Sequence, residues 1–360
     1  MRRKHLFWIL LATIGCCGQL GPCITAEAAT LTPEQSAACQ RLKLDEKEIA
    51  ALIDKPLYEF KEAEVGRYVQ FLRATEPDLR RRIVHFARKN IGQPYELYLL
   101  GEMPFEPYDP QPLYCLGKSD CLVFAEHTYA MALGHNWPSF MNLLQRIRYR
   151  DGKLGVATRN HYTEADWNIS NRWLVEDITA KVAGDTAVTF KETIDRSKFL
   201  KGRYGLSVNI PIETHEDEYL PYEQIERAKS HLRDGDFVNV VRGTVKKGAA
   251  PNEIFGGSAF VGHVGLIGHG ANRELNLIHS AEPRVREEPI DAYIARSTEG
   301  LAEKDAAGKP RLLGFKFLRL RDDPLRNLRE IDGPDTPRVT LPTGGEATFG
   351  PSADVPATSR

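Results

Sequence analysis

The hydrophobic pattern of this chain changes period part-way along it, and that change limits the possible folds more than any other feature. Residues 29–75 read as helical, with Leu42, Leu44, Ile49, Leu52 and Ile53 as apolar anchors. A clearer helix is predicted at about 78–90, where Leu79, Ile83, Phe86 and Ala87 share one face and Gly92 with Pro94 ends the run. Residues 101–118, rich in proline, read as a loop. A second strong helix starts at Cys121, with Leu122, Ala125, Tyr129, Ala132 and Leu133 as its buried stripe and Gly134 closing it.

The second half is written in short β-rich runs instead: Asp236 to Val241, Val261 to Ile267, Leu275 to His279 and Gly314 to Leu320. Helices first and an antiparallel sheet second is an α+β order, with helices packed on the sheet, and not the alternation of a parallel α/β fold. With 360 residues and 42% hydrophobic composition, the chain can bury one large core or two modest ones. The expected organisation is a leader at 1–28, a helical N-terminal extension at 29–75, a catalytic domain at 76–321 and a flexible tail at 322–360, rich in Pro, Gly, Thr and Asp.

The leader is read from order of chemistry. Arg2, Arg3 and Lys4 precede an apolar core from Leu6 to Ile14, and Ala26-Glu27-Ala28 offers a small-residue cleavage site. That run is too short to span a bilayer. The expected location is therefore outside the cytoplasm, periplasmic or extracellular. Lipid anchoring at Cys16 is the lesser alternative, since polar Thr13 stands where lipoprotein signals carry an aliphatic residue. Losing residues 1–28 removes three basic and one acidic side chain and moves the formal charge only from −1 to −3. So balanced a chain gives no electrostatic case for nucleic acid or an anionic membrane surface as partner. Three cysteines remain, Cys39, Cys115 and Cys121. An odd count in an oxidising compartment points to one bridge and one free thiol, with Cys39–Cys115 as the favoured bridge; three buried thiols is the alternative.

Cys121 carries the chemistry. Ser119 or Asp120 can cap the helix that begins there, which leaves the thiol among unpaired backbone N–H groups. The positive helix end is expected to lower the thiol pKa and favour the thiolate, and the same N–H groups can receive an oxyanion. A cysteine at a helix start is otherwise simply a small buried residue. Two downstream strands raise the functional reading. His263, between Gly262 and Val264, enters one strand, and His279 ends the next on the face shared with Leu275 and Leu277. Side by side, His263 would take the thiol proton and His279 would hold its tautomer. Zinc held by the same three residues is the rival reading, but no close paired-ligand motif is present, so no metal and no organic cofactor are expected.

Four pieces together resemble the NlpC-type papain-fold cell-wall hydrolases: Ile91-Gly92-Gln93-Pro94-Tyr95 after a helix, Asp120-Cys121 opening the next, Asp234-Gly235-Asp236-Phe237 entering a strand, and the two histidine strands. More narrowly, Ile147-Arg148-Tyr149-Arg150-Asp151-Gly152, Arg159-Asn160-His161-Tyr162, Asp166-Trp167 and Asp177-Ile178-Thr179 resemble the N-acetylmuramoyl-L-alanine amidase-like branch. The likeness runs from about residue 77 to 321. It implies a papain-like fold, Cys121 as nucleophile, His263 as base, His279 as third residue and Tyr95 near the thiol. It also implies peptidoglycan or a muropeptide as substrate and cleavage of the muramoyl–L-alanine amide. A D-glutamyl-diamino-acid endopeptidase and a catalytically silent wall-binding protein are the alternatives. Asp120, Arg148, Arg159, Asn160 and His161 are the further candidates for substrate contact, the arginines because a guanidinium fork suits a carboxylate. Their structural alternative is a salt-bridged surface that holds a long insertion in place. The proline-rich loop 104–118 and the basic, glycine-rich segment 243–260 depart from the family pattern and could reshape the cleft.

Overall fold

The structure, a computed structural model, describes residues 30–243, 260–300 and 311–332. The leader, Cys16, nearly all of the 243–260 segment and residues 333–360 lie outside the described residues.

Among the described residues six α-helices come first: α1 (Pro33–Leu42), α2 (Glu46–Asp54), α3 (Glu62–Thr75), α4 (Leu79–Lys89), α5 (Cys121–Leu133) and α6 (Trp137–Arg148). Their starts follow capping chemistry. Thr32 and Gln35 form a capping box on α1, Asn136 and Ser139 do so on α6, and Asp78 accepts from Arg80 and Arg81 at α4. A polar insertion follows, with the short α7 (Asn168–Ser170), strand β1 (Val175–Asp177), α8 (Thr179–Ala183), β2 (Val188–Ile194), α9 (Arg196–Tyr204), β3 (Glu213–Pro221) and α10 (Glu226–Lys229). The rest is β4 (Phe237–Arg242), β5 (Phe260–His269), β6 (Leu275–Ala281), β7 (Arg284–Pro289), α11 (Ile290–Glu299), β8 (Leu312–Leu320) and α12 (Pro324–Asp332).

All the strands join one antiparallel sheet in the order β2-β3-β8-β4-β5-β6-β7, with β1 also on β8. The α+β class expected from the sequence is the one observed. Alternate residues feed two cores. Phe237, Leu266, Ile278 and Leu318 face α1–α6, while Val238, Val240, Phe315 and Phe317 face α8, α10 and α11. The N-terminal helices are not a separate body, because Phe60, Tyr68 and Phe71 share the core that holds Phe86 and Phe124. α5 runs through its middle and is buried on every side from Val123 to Leu133, rather than on the single stripe expected.

Two further expectations give way. Residue 322 does not begin a loose tail, since α12 follows at once and Leu325 and Leu328 pack on the helical core. No bridge joins Cys39 to Cys115 either. All three described cysteines are unpaired thiols, with Cys39 sealed inside the helical core and Cys115 resting on the separate cluster of Leu99, Leu100 and Val123. Among the described residues, no helix is long and apolar enough to cross a membrane.

The Asp234-Gly235-Asp236-Phe237 turn ties helices to sheet. Asp236 is fully buried and accepts from Arg80 Nη1 (3.0 Å), Arg319 Nε (2.8 Å), Arg233 N (2.9 Å) and Leu320 N (3.1 Å). Gly235 has φ +76° and its Cα lies so near α4 that a Cβ would meet Ile83 at 3.3 Å. Its carbonyl accepts from the Tyr129 hydroxyl of α5 at 2.8 Å. A buried carboxylate is tolerated only with such partners, and removing it strands two guanidinium groups. Asp236→Ala is expected to cost about 3–5 kcal/mol in a urea titration, whereas Asp322→Ala, at an exposed carboxylate 3.9 Å from Arg80, should change stability by less than about 1 kcal/mol.

Candidate active site

The residues before Cys121 are held as a strand would be. Gly92 N donates to Val285 O (3.0 Å), Val285 N to Gln93 O (2.8 Å) and Tyr95 N to Pro283 O (3.0 Å), so residues 92–95 run along β7. On their other side Ser119 N donates to Pro94 O (3.1 Å) and Glu96 N to Ser119 O (3.1 Å). Ser119 Oγ donates to Gln93 Oε1 (2.7 Å), and the Ser280 hydroxyl of β6 donates to Ser119 O (2.8 Å). Asp120 then caps α5 by accepting from Val123 N at 2.8 Å, which sets Cys121 as the helix's first residue.

The sulfur receives N–H groups from Val264, Leu122 and Cys121 itself. Val264 directly follows His263, so the thiol lies against the strand that carries the expected base. The expected low thiol pKa is not found. Burial, followed by the Asp120 carboxylate, pushes the Cys121 thiol up to about 12, and the backbone donors offset only part of this. Tyr95 shares this environment: burial first, then Cys121 and Asp120, push its phenol up to about 12.

The two histidines meet as the sequence suggested. His263 Nε2 faces His279 Nδ1 at 2.6 Å, and both rings pack on Tyr293 of α11. That spacing suits a shared proton and leaves no room for an ion between the nitrogens. Among the described residues no group of three His, Cys, Asp or Glu side chains is arranged to hold a metal. Burial, followed by His279, Arg242, Arg286 and Arg296, lowers the His263 pKa well below its usual range. His279 is fully buried, and its Nε2 lies 2.8 Å from Glu288 Oε1 on β7. That carboxylate also accepts from Arg286 Nε (3.0 Å) and Arg296 Nη2 (2.6 Å). Burial opposes its charge, but His279, Arg296 and Arg286 together hold its pKa well below the usual carboxylate range.

The remaining candidates are engaged inside the protein. Arg148 is buried and bonds Glu126 Oε2 at 2.9 Å, whose other oxygen accepts from the Trp167 indole at 3.2 Å. Arg159 bonds both oxygens of Glu102, and Asp109 at 3.0 Å. Asn160 Nδ2 donates to Ile147 O (3.0 Å) and its Oδ1 accepts from Ser170 (2.9 Å). His161 Nε2 contacts Val156 O at 2.6 Å, and burial followed by Arg159 brings its pKa down to about 3. Arg148 thus ties α6 to α5, while Arg159 and Asn160 tie the segment after α6 to the 101–118 loop and to α6. Of the residues read as contacting substrate, only Tyr95 and Asp120 stand beside the thiol.

Residues 85–300 match the family model described as AmiA-like, N-acetylmuramoyl-L-alanine amidase-like. The chain belongs to that family. Among solved structures, this AmiA-like chain is similar to a Legionella pneumophila protein assigned to the family model DUF1460, at TM-score 0.58 and 19% identity over 71% of this chain and 94% of that one. It is also similar to an N-acetylmuramoyl-L-alanine amidase from Bacteroides uniformis, at TM-score 0.50 and 20% identity over 68% of this chain and 99% of that one. At such identities the likeness is one of fold. No curated protein matches.

Glu288 went unread in the sequence, although a signal exists. Glu282-Pro283 is a two-residue turn, and the register it sets puts Arg286 opposite His279 and Glu288 opposite Leu277. Reading Arg284–Pro289 as a strand therefore sets Glu288 diagonal to His279 on the same face. The pKa shifts make a further statement. With the thiol high and His263 low, the pair rests as neutral thiol and neutral imidazole near pH 7. Alkylation of Cys121 by iodoacetamide should then climb about tenfold per pH unit between pH 7 and 9. A rate already level across that range would show a thiolate–imidazolium pair instead.

Proposed function

We propose that the protein is a cysteine amidase of NlpC-type, papain-like design, exported from the cytoplasm, which hydrolyses the N-acetylmuramoyl–L-alanine amide of peptidoglycan or of muropeptides released from it. The observation that carries this reading is the backbone N–H of Val264, the residue after His263, on the sulfur of Cys121 at the start of α5, together with the His263–His279 pair on adjoining strands. Membership in the AmiA-like family supports the choice of bond.

The geometry suits a general-base mechanism. His263 Nε2 is turned on His279, which leaves Nδ1 as the nitrogen for the thiol proton. As sulfur attacks the carbonyl carbon, the S–H proton passes to His263 and the carbonyl electron pair moves onto oxygen. N–H groups at the start of α5 would receive that charge. The C–N bond then breaks, His263 gives its proton to the leaving nitrogen, and a thioester remains. Water, deprotonated by the same imidazole, releases the acid and restores the thiol. Since Cys121 is not ionised beforehand, the proton must leave as the S–C bond forms, and the base is needed in the first step.

Mass spectrometry of a digest of a defined muropeptide tests the reading. An intact stem peptide with a free L-alanine amine is expected; a fragment cut after D-glutamate would mark the endopeptidase activity instead. Cys121→Ala should lower kcat by at least about three orders of magnitude. Full activity in that variant would refute the role given to Cys121.

A further inference from the structure

We infer that Glu288 is a positioning residue that fixes the tautomers of both histidines, so that His263 Nδ1, the nitrogen not engaged by His279, is always the one without a proton. The inference rests on the proposed role of Cys121 and extends it along the chain His263–His279–Glu288.

The tautomers follow from donor and acceptor logic. Glu288 Oε1 faces three nitrogens, from His279, Arg286 and Arg296. An ionised carboxylate can only accept, so the His279 Nε2 that faces it carries hydrogen. His279 is neutral in its fully buried site, and its Nδ1 is then a lone pair. That lone pair lies 2.6 Å from His263 Nε2, which must therefore be the protonated nitrogen of His263. His263 Nδ1 is left as the acceptor. When it takes the thiol proton, the imidazolium that forms keeps its donor bond to His279, and no second proton needs to move.

The two arginines make the carboxylate a dependable end to this chain. They come from different elements, β7 and α11, and their charges keep Glu288 ionised and its Oε1 in place. The other charged and titratable groups around the imidazoles are Arg242 on β4, Tyr293 on α11, and Cys121 with Asp120 at α5. The contact that sets the tautomer of His279 is the one its Nε2 makes with Glu288 Oε1 at 2.8 Å.

Removing the oxygen should invert the chain. In Glu288→Leu, Arg286 and Arg296 face His279 Nε2 with donors only, which favours hydrogen on Nδ1. That hydrogen would then occupy His263 Nε2, and the His263 proton would move to Nδ1, the nitrogen that must accept the thiol proton in the proposed mechanism. Glu288→Gln is the informative control, because its amide oxygen can keep the place among the three donors.

The test joins kinetics to histidine NMR. In the wild-type protein labelled with 15N-histidine, His279 should carry its proton on Nε2, an observation that needs no variant. Glu288→Leu should lower kcat roughly 10²–10⁴-fold with KM nearly unchanged, and should move the His279 proton to Nδ1. Glu288→Gln should keep the wild-type tautomer and lose no more than about tenfold in kcat. Its acid limb should shift to lower pH, because a stabilising negative charge is gone. A wild-type kcat in Glu288→Leu, or a wild-type His279 protonated on Nδ1, would overturn the inference. Cys121→Ala is run in parallel. If that variant is inactive while Glu288→Leu is fully active, only the tautomer claim fails; if Cys121→Ala stays active, the nucleophile assignment fails, and the NMR result still judges Glu288.

Discussion

The cleft depends on one short piece of backbone pairing, the ladder that clamps Ser119 between residues 94–96 and Ser280. A cysteine at a helix start has no fixed direction unless the residues before it are fixed. Here they hydrogen-bond on one side to a segment that itself runs along β7, and on the other to the hydroxyl of the residue after His279. The start of α5 and the histidine strands thus belong to one hydrogen-bonded unit, though Cys121 and His263 lie more than 140 residues apart in sequence. The turn at Asp236 does the same on a larger scale by tying α4 and α5 to β4 and β8.

Electrostatics inside the fold follows a division of labour. Three buried carboxylates are paired with arginine: Glu126 with Arg148, Glu102 with Arg159, Asp166 with Arg196. Such pairs are poor sources of stability but costly to break, so they fix geometry. At the thiol the logic is reversed. Burial first, then Asp120 beside Cys121 and His279 with three arginines near His263, favours the uncharged form of each.

Much of this was legible in the sequence. The 3.6-residue period announced α4 and α5, alternating apolar residues announced β4, β5, β6 and β8, and glycines around His263 marked an open strand entrance. The elements that went unread are those whose character is set by partners and not by their own pattern. β2, β3 and β7 carry runs such as Glu213-Thr214-His215-Glu216-Asp217 and Arg286-Glu287-Glu288, which look like solvated turns until a neighbour supplies the pairing. The same limit applies to Arg148 and Arg159. A sequence shows that a guanidinium is present, but only the fold shows that Glu126 and Glu102 already occupy it. The thiol pKa was misjudged for a related reason: the helix end is visible in the sequence, and the depth of burial is not.

β7 closes the sheet, and the pattern of its charges has an effect beyond the cleft. Residues 92–95 cover its first half through Val285, while the outer half ends in Glu287, Glu288 and Pro289. A bare strand edge invites another chain to extend the sheet, and charge together with a proline that lacks an N–H makes poor ground for that. The charged residues of this edge therefore make it poor ground for strand addition by neighbouring molecules. Selection on this short segment would act through colloidal behaviour as well as through turnover, and the two pressures favour the same charged side chains.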